Sequence, residues 1–336
     1  MKRTEDIQDE KFRGYALKAN MWIVLLKTGT PLAFYQALNT LYKMLDSLMA
    51  SHINAEAVSA VAYLSQINIT VSSIGMGLAT GSSLKISEAY GAGNYKLVGQ
   101  RVGNLFALCG LLDVILLLSI PFTPIILRIA GTPQELVEVG STYFSIEMAG
   151  LAITFFNNAY IAVERARGNT KRIFWLNMVT IAIKLSLTAC FVYILRCGIT
   201  MIALASMLSQ SFLMCMGLYY ILKKGSAFRL SFEKLRLKKE IVVPLLRISL
   251  PVIAEKAAFS AGKVIVNAMC SAYGALTVGA LGICNNLTGI FSNAQSGYQE
   301  GCSAIISQNL GAKKPERALD AFKKIFIINL IFGTVG

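Results

Sequence analysis

Six polar residues interrupt the apolar stretch 28–50 with helical regularity. Gln36, Asn39, Thr40, Lys43, Asp46 and Ser47 follow i, i+3, i+4, i+7 spacing, and at 100° per residue they share about 120° of arc. In hydrocarbon a Lys or Asp at a helix centre costs about 2.5–3.5 kcal/mol, so such residues face a cavity or a partner. The stripe therefore suits the wall of a polar cavity. Lys43 and Asp46, three residues apart, could equally neutralise each other as a structural ion pair.

A second stripe, Lys256, Ser260, Lys263 and Asn267, lies between residues 244 and 270, with Glu255 beside it. Asn286, Asn293, Ser296 and Glu300 share one face of the next apolar stretch, and Gln66 and Ser73 are their equivalents in the second stretch. Amides at such places can line a cavity or hydrogen-bond between helices. Gly77-xxx-Gly81 and Gly297-xxx-Gly301 read as close-packing faces. Lys184 sits deep between Ile183 and Leu185. Desolvation leaves such a lysine two options, a carboxylate partner such as Asp46 or the neutral amine. Asp113 and Glu147 are further intramembrane acids.

The elements that must position these groups are membrane helices. Of 336 residues, 55% are hydrophobic and only 15% charged, with a mean hydropathy of +0.57, against about 25% charged in a soluble domain. A window of about 20 residues predicts spans near 28–50, 57–84, 102–127, 140–163, 173–195, 199–222, 244–270 and 276–306, with a ninth beginning near 322. The seven cysteines form no CxxC pair and read as free thiols, and the single histidine, His52, excludes a histidine-built metal site.

Charge gives the orientation. The N-terminal tail and the even-numbered loops hold 23 Lys and Arg, while the alternate loops hold only Arg128 and Arg196. Basic loops stay cytoplasmic, so the N-terminus is expected there, in a multi-pass protein of the cell membrane. The same loops account for the net charge of +14 without nucleic acid.

An ungapped internal repeat runs at an offset of 220 residues. Pro31 aligns with Pro251, Lys43 with Lys263, Met49 with Met269, and Gly77 and Gly81 with Gly297 and Gly301. Ile86-Ser87 meets Ile306-Ser307, and Gly91-Ala92 meets Gly311-Ala312. With six spans per unit, both copies begin on the same side and run parallel, as in some secondary transporters. The expected organisation is an all-α polytopic membrane protein of two parallel six-helix repeats. Residues 1–222 form the first lobe, 223–243 a basic linker and 244–336 a partial second lobe with two full helices and the start of a third. On this arithmetic the chain is a truncated form of a twelve-span protein and, lacking a complete second lobe, would not transport by itself.

These motifs together resemble the multidrug and toxic compound extrusion (MATE) family of cation-coupled antiporters. Leu41-Tyr42-Lys43-Met44-Leu45-Asp46 after Pro31, Ala57-Val58-Ser59-Ala60, and Ile86-Ser87-Glu88-Ala89-Tyr90-Gly91-Ala92-Gly93-Asn94 are similar to the family's opening. Arg165-Ala166-Arg167-Gly168-Asn169-Thr170-Lys171 is similar to its loop after the fourth span. Leu250-Pro251 through Ser307-Gln308-Asn309-Leu310-Gly311-Ala312 fits the second copy. The resemblance implies two lobes around a central cavity, alternating access, and export of amphipathic organic cations or drugs in exchange for H⁺ or Na⁺. It implies no enzyme activity, no cofactor besides the coupling ion, and a monomer when full-length.

By the same resemblance, Asp46 matches the first-span acid that couples the ion, and Glu255 an acid early in the seventh span. Lys184 departs from the family pattern, since an ammonium beside Asp46 would compete with Na⁺. Coupling is thus expected at Asp46, Lys184 and Glu255. The substrate cavity is expected at Gln36, Asn39, Thr40, Lys43, Lys256, Lys263, Asn286, Asn293 and Glu300. The alternative is a flippase of lipid-linked precursors or polysaccharide in the same superfamily, which would use the four lysines on phosphate. A prenyl- or glycosyltransferase would need clustered carboxylates for Mg²⁺ diphosphate, and no DDxxD-like group exists.

Overall fold

The computed structural model describes residues 4–50, 55–129, 134–196, 198–223, 226–231, 237–271, 273 and 275–335. Within these segments some side chains lie outside the described set, among them those of Lys43, Asp46, Gln66, Asn267 and Asn286. The described chain is helical, with no strand among those residues. After a short helix α1 (Thr4–Lys18) come α2 (Met21–Ala50), α3 (Ala55–Gly91) and α4 (Tyr95–Ser119). Then follow α5 (Thr123–Ile129), α6 (Gln134–Arg167), α7 (Thr170–Ala189) and α8 (Ile199–Leu222). Past the basic stretch come α9 (Lys239–Ser271), α10 (Ala275–Gly311) and α11 (Pro315–Val335).

Local sequence explains the breaks. Pro121 cannot donate to the helical ladder, and the third span turns 3₁₀ over Ile120–Phe122 between α4 and α5. α3 ends in a turn where Gly93 takes φ +74, a left-handed conformation cheap only for glycine. Asn94 then caps α4, its side-chain oxygen accepting from the Leu97 N–H at 3.1 Å. Pro31 in α2 and Pro251 in α9 sit inside their helices at equivalent positions.

Four stretches, Tyr95–Arg128, Ser141–Arg167, Thr170–Ile194 and Thr200–Leu222, are by themselves long and apolar enough to cross a bilayer, among the described residues. The other expected spans fall on α2, α3, α9 and α10, which are 30 to 37 residues long and carry the polar stripes. Leu111, Ile115, Leu118, Trp175, Phe259 and Phe326 are exposed. Such a belt of large apolar side chains is what a lipid-facing surface requires.

The repeat is visible in the packing. Helix α10 lies along α2 and α3 lies along α9, at equivalent faces. Glycines let the backbones approach: a Cβ on Gly77 or Gly81 would run into the backbone of Ile253 or Ser249, and one on Gly297 into Leu32. At the basic end the two long helices cross reciprocally. A Cβ on Gly91 would collide with the Gln308 carbonyl, and one on Gly311 with the Glu88 carbonyl. Residues 88 and 308 are themselves mates at the 220 offset.

Helix α1 was legible in sequence only as a polar tail bearing both charges. It docks at this crossing. Arg13 donates to the Gly91 carbonyl at 2.9 Å, Lys314 to Leu17 O at 3.0 Å, and Arg317 to Ala19 O at 2.8 Å. Arg13 thus reaches the end of α3, while cations next to and within α11 hold the C-terminal end of α1.

Candidate functional site: a polar seam between the repeats

Two residues of the α2 stripe, Gln36 and Thr40, meet α10. Gln36 is half-buried, with its Cγ directly beneath Gly297. Thr40 is buried, donates to Gln36 O at 3.1 Å, and accepts from Asn293 Nδ2 at 2.9 Å. One predicted cavity residue from each repeat therefore meets across the seam. Asn39 is half-buried on the same helix. The side chains of Lys43, Asp46 and Asn286 lie outside the described residues.

Deeper toward the basic end, Glu300 of α10 collects cations from two helices. Arg165 Nη2 lies 2.6 Å from Glu300 Oε2, and Lys256 Nζ lies 3.6 Å from Oε1. The Arg165 and Glu300 side chains are 10% and 14% exposed, so the pair is largely withdrawn from solvent. Charge-assisted bonds of this length are strong in such surroundings, and removing one member strands the other. Tyr35 of α2 lies within electrostatic reach of both Glu300 and Arg165. Gln308 adds a buried bond from its amide to Ala166 O, at 2.9 Å. Together these contacts tie the end of α6 to α10.

Lys184 is buried on α7, with its Nζ 4.9 Å from the centroid of the Tyr42 ring. Cation–π contact of this kind steadies an ammonium in an apolar setting. Lys263 is exposed on α9, its Nζ 4.8 Å from the Phe259 centroid. Glu255 is also exposed. Of the two acids expected to act on α9 and α10, it is Glu300 that meets cations from elsewhere in the fold. A separate polar contact, from Asn68 to Glu147, joins α3 to α6.

The residue that sequence reasoning missed is Arg165. It was counted among the basic loop charges, yet its side chain turns inward along α10. A signal was present: Glu300 has Ser296, Gly297, Ser303 and Ala304 at its helical neighbours. With no cation at i±3 or i±4, an intramembrane carboxylate must find its partner on another helix.

Comparison with known proteins places this geometry. A family model described as MatE matches residues 31–190 and 251–336. The probable multidrug resistance protein YoeA of Bacillus subtilis is 25% identical over 329 residues, covering 95% of this chain and 71% of its own. The probable multidrug resistance protein NorM of Thermotoga maritima is 22% identical over 330 residues, covering 93% and 68% respectively. Among solved structures, an outward-facing multidrug resistance MATE family transporter of the MOP superfamily superposes with a TM-score of 0.86 at 21% identity, covering 98% of this chain and 73% of that one. A MOP superfamily transporter from Pyrococcus furiosus, for which reverse polarity of the binding pocket suggests a different function, gives 0.84 at 22%, covering 94% and 72%. At these identities the structural likeness establishes the fold.

Proposed function

The chain belongs to the MatE family of membrane transporters, and on that premise we propose that it is a secondary antiporter exporting amphipathic organic cations or drugs in exchange for H⁺ or Na⁺. Residues 1–222 and 244–336 act as the two moving parts, joined by 223–243, with the basic end in the cytoplasm. The observation that carries this reading is the Arg165–Glu300 pair. It bridges the two repeats at one end only, and rocking of one repeat against the other around a midplane site must break it.

In this reading the polar stripe of α2, facing Asn293, lines the substrate path, with Asp46 as the coupling acid and Lys184 as the neighbouring charge. Protonation of Asp46 removes a charge that is costly to hold in low dielectric. Exchange of that proton for a cationic substrate then keeps the cavity's charge balanced in each half-cycle. Burial of Lys184 and the placement of Lys256 and Lys263 on α9 favour a second reading, a flippase whose cationic wall receives lipid phosphates.

The test is ethidium efflux from cells expressing the gene, with the H⁺ and Na⁺ gradients collapsed separately. Asp46→Asn should abolish gradient-coupled efflux at normal membrane abundance. Full efflux by a normally inserted Asp46→Asn protein removes the coupling assignment. Accumulation of lipid-linked precursors on deletion of the gene, without loss of efflux, supports the second reading.

A further inference from the structure

The two seams of the molecule are equivalent in backbone but not in filling. Where α3 meets the start of α9, a cavity of about 500 Å³ is lined by Lys85, Val243, Pro244, Arg247 and Ile248. Applying the 220 offset, the corresponding positions at the α2/α10 seam are Ile305, Ile23, Val24, Lys27 and Thr28. That second place is filled on its inner side, while Ile23 and Lys27 stay exposed. Ile305, Val24 and Thr28 are fully buried, and Ile305 and Val24 pack with Ala16 of α1 and with Ala321 and Ile325 of α11. Lys27 is turned onto the Tyr15 ring, 4.7 Å from its centroid. The first seam thus keeps a hollow where its mate has a packed core, and it carries a lysine where the mate has isoleucine.

We propose that this hollow is a binding site for the headgroup of an anionic phospholipid drawn from the surrounding bilayer. Three cations gather there against one carboxylate. Lys85 pairs with Glu88 at 2.8 Å, Arg101 reaches both Glu88 and the Lys85 carbonyl, and Arg247 is exposed on the facing helix. A phosphodiester between Lys85 and Arg247 offsets one of the two positive charges that Glu88 leaves uncompensated.

Depth agrees. At 1.5 Å per residue, Lys85 lies about 9 Å from the basic end of α3 and Arg247 about 12 Å from the start of α9, the zone of lipid phosphates rather than of acyl chains. The rest of the lining, Val243, Pro244 and Ile248, is apolar, and Val243, Arg247 and Leu250 form one exposed ribbon along α9. An acyl chain can follow Leu250 toward the bilayer centre while the headgroup stays at the two cations. A free phosphate would leave that apolar wall uncovered. Basic pockets between helices at the positively charged side of a membrane protein hold anionic headgroups on this logic.

The hollow lies between α3 and α9, immediately beside the close approach of Gly81 to Ser249 and the bond from Ser249 Oγ to Leu78 O at 3.2 Å. A lipid seated there touches both repeats.

The full chain, delipidated in detergent, should be titrated with phosphatidylglycerol or phosphatidylcholine and its adducts counted by native mass spectrometry. Phosphatidylglycerol should bind the more tightly, and Lys85→Gln and Arg247→Gln should each weaken it about fivefold. Lys85→Arg and Arg247→Lys should retain binding, which separates loss of the site from loss of the fold. Lys27→Gln, at the filled mate, should change nothing. Equal binding of phosphatidylcholine, unchanged binding by the two Gln variants, an equal loss in Lys27→Gln, or displacement of the lipid by millimolar inorganic phosphate would each overturn the proposal. The readout is binding, so it stands or falls separately from transport.

Discussion

The α2/α10 and α3/α9 seams are two solutions of one packing problem, and they differ in charge rather than in backbone. Both use paired glycines to bring helices together. Both long helices close with the same turn. Ala92, Gly93 and Asn94 donate to Glu88, Tyr90 and Ala89, while Ala312, Lys313 and Lys314 donate to Gln308, Leu310 and Asn309, each at 2.9–3.0 Å. The side chains do not repeat. Glu300 has Thr80 as its mate and Lys256 has Gln36, so the ion cluster drawn from α6, α9 and α10 has no charged counterpart at those positions of the first repeat, and the cation-lined hollow none at the α2/α10 seam. The backbone repeats, and departures from the repeat in the side chains make the two sides chemically distinct.

That comparison can be broken most sharply at the ion cluster. Arg165→Ala leaves Glu300 with only Lys256 at 3.6 Å and should cost about 3 kcal/mol, read as a lower melting temperature in detergent. Adding Glu300→Gln should recover much of that loss. Strict additivity in the cycle would mean that the two groups do not communicate.

The reciprocal crossing comes next. Gly91→Ala and Gly311→Ala each drive a Cβ into a backbone carbonyl, which cannot rotate aside, at about 2 kcal/mol apiece. The two losses should match. Spin-label distances across the basic end should lengthen in both variants, and a response from only one would show that the crossing is not symmetric in energy.

A smaller effect separates the two turns. Lys313 adopts φ +57 where its mate Gly93 adopts +74. A side chain in that region carries about 1 kcal/mol of strain, so Lys313→Gly should stabilise the protein slightly and Gly93→Lys should do the reverse, by thermal melting. Smallest is Thr40→Val, which removes the acceptor of the Asn293 bond. Interhelical bonds in membranes average about 0.6 kcal/mol. The melting point should barely move, and a drop as large as that of Gly91→Ala would mark Thr40 as structural.

Much of the architecture is legible in the sequence. The window reading put the second span at 57–84 and the eighth at 276–306, and the helices run over Ala55–Gly91 and Ala275–Gly311. Both overshoot at the same end, because polar turns extend a helix beyond hydrocarbon without leaving a hydropathy signal. Inside the third span, placed at 102–127, the helix turns 3₁₀ at Pro121, a local feature that a 20-residue average conceals. Within the candidate site, helical spacing puts the polar residues of α2 on one face, and only the fold brings Thr40 of that face against Asn293 of α10.

What the sequence determined by itself is everything that depends on near neighbours and on the solvent: the apolar spans, the sidedness of charge, the 220-residue repeat and the polar stripes. The spans follow from a chain that must satisfy its own backbone bonds in lipid, and the sidedness from basic loops that stay on one side of the membrane. Only the tertiary structure decided which charge meets which. Arg165 and Glu300 lie 135 residues apart, and nothing in the hydropathy of either segment encodes their approach. The same holds for α1, whose few apolar residues acquire a docking place only when Gly91 and Gly311 bring α3 and α10 together. Coulomb and packing energies depend on through-space distance, and for residues on different helices that distance is created by folding.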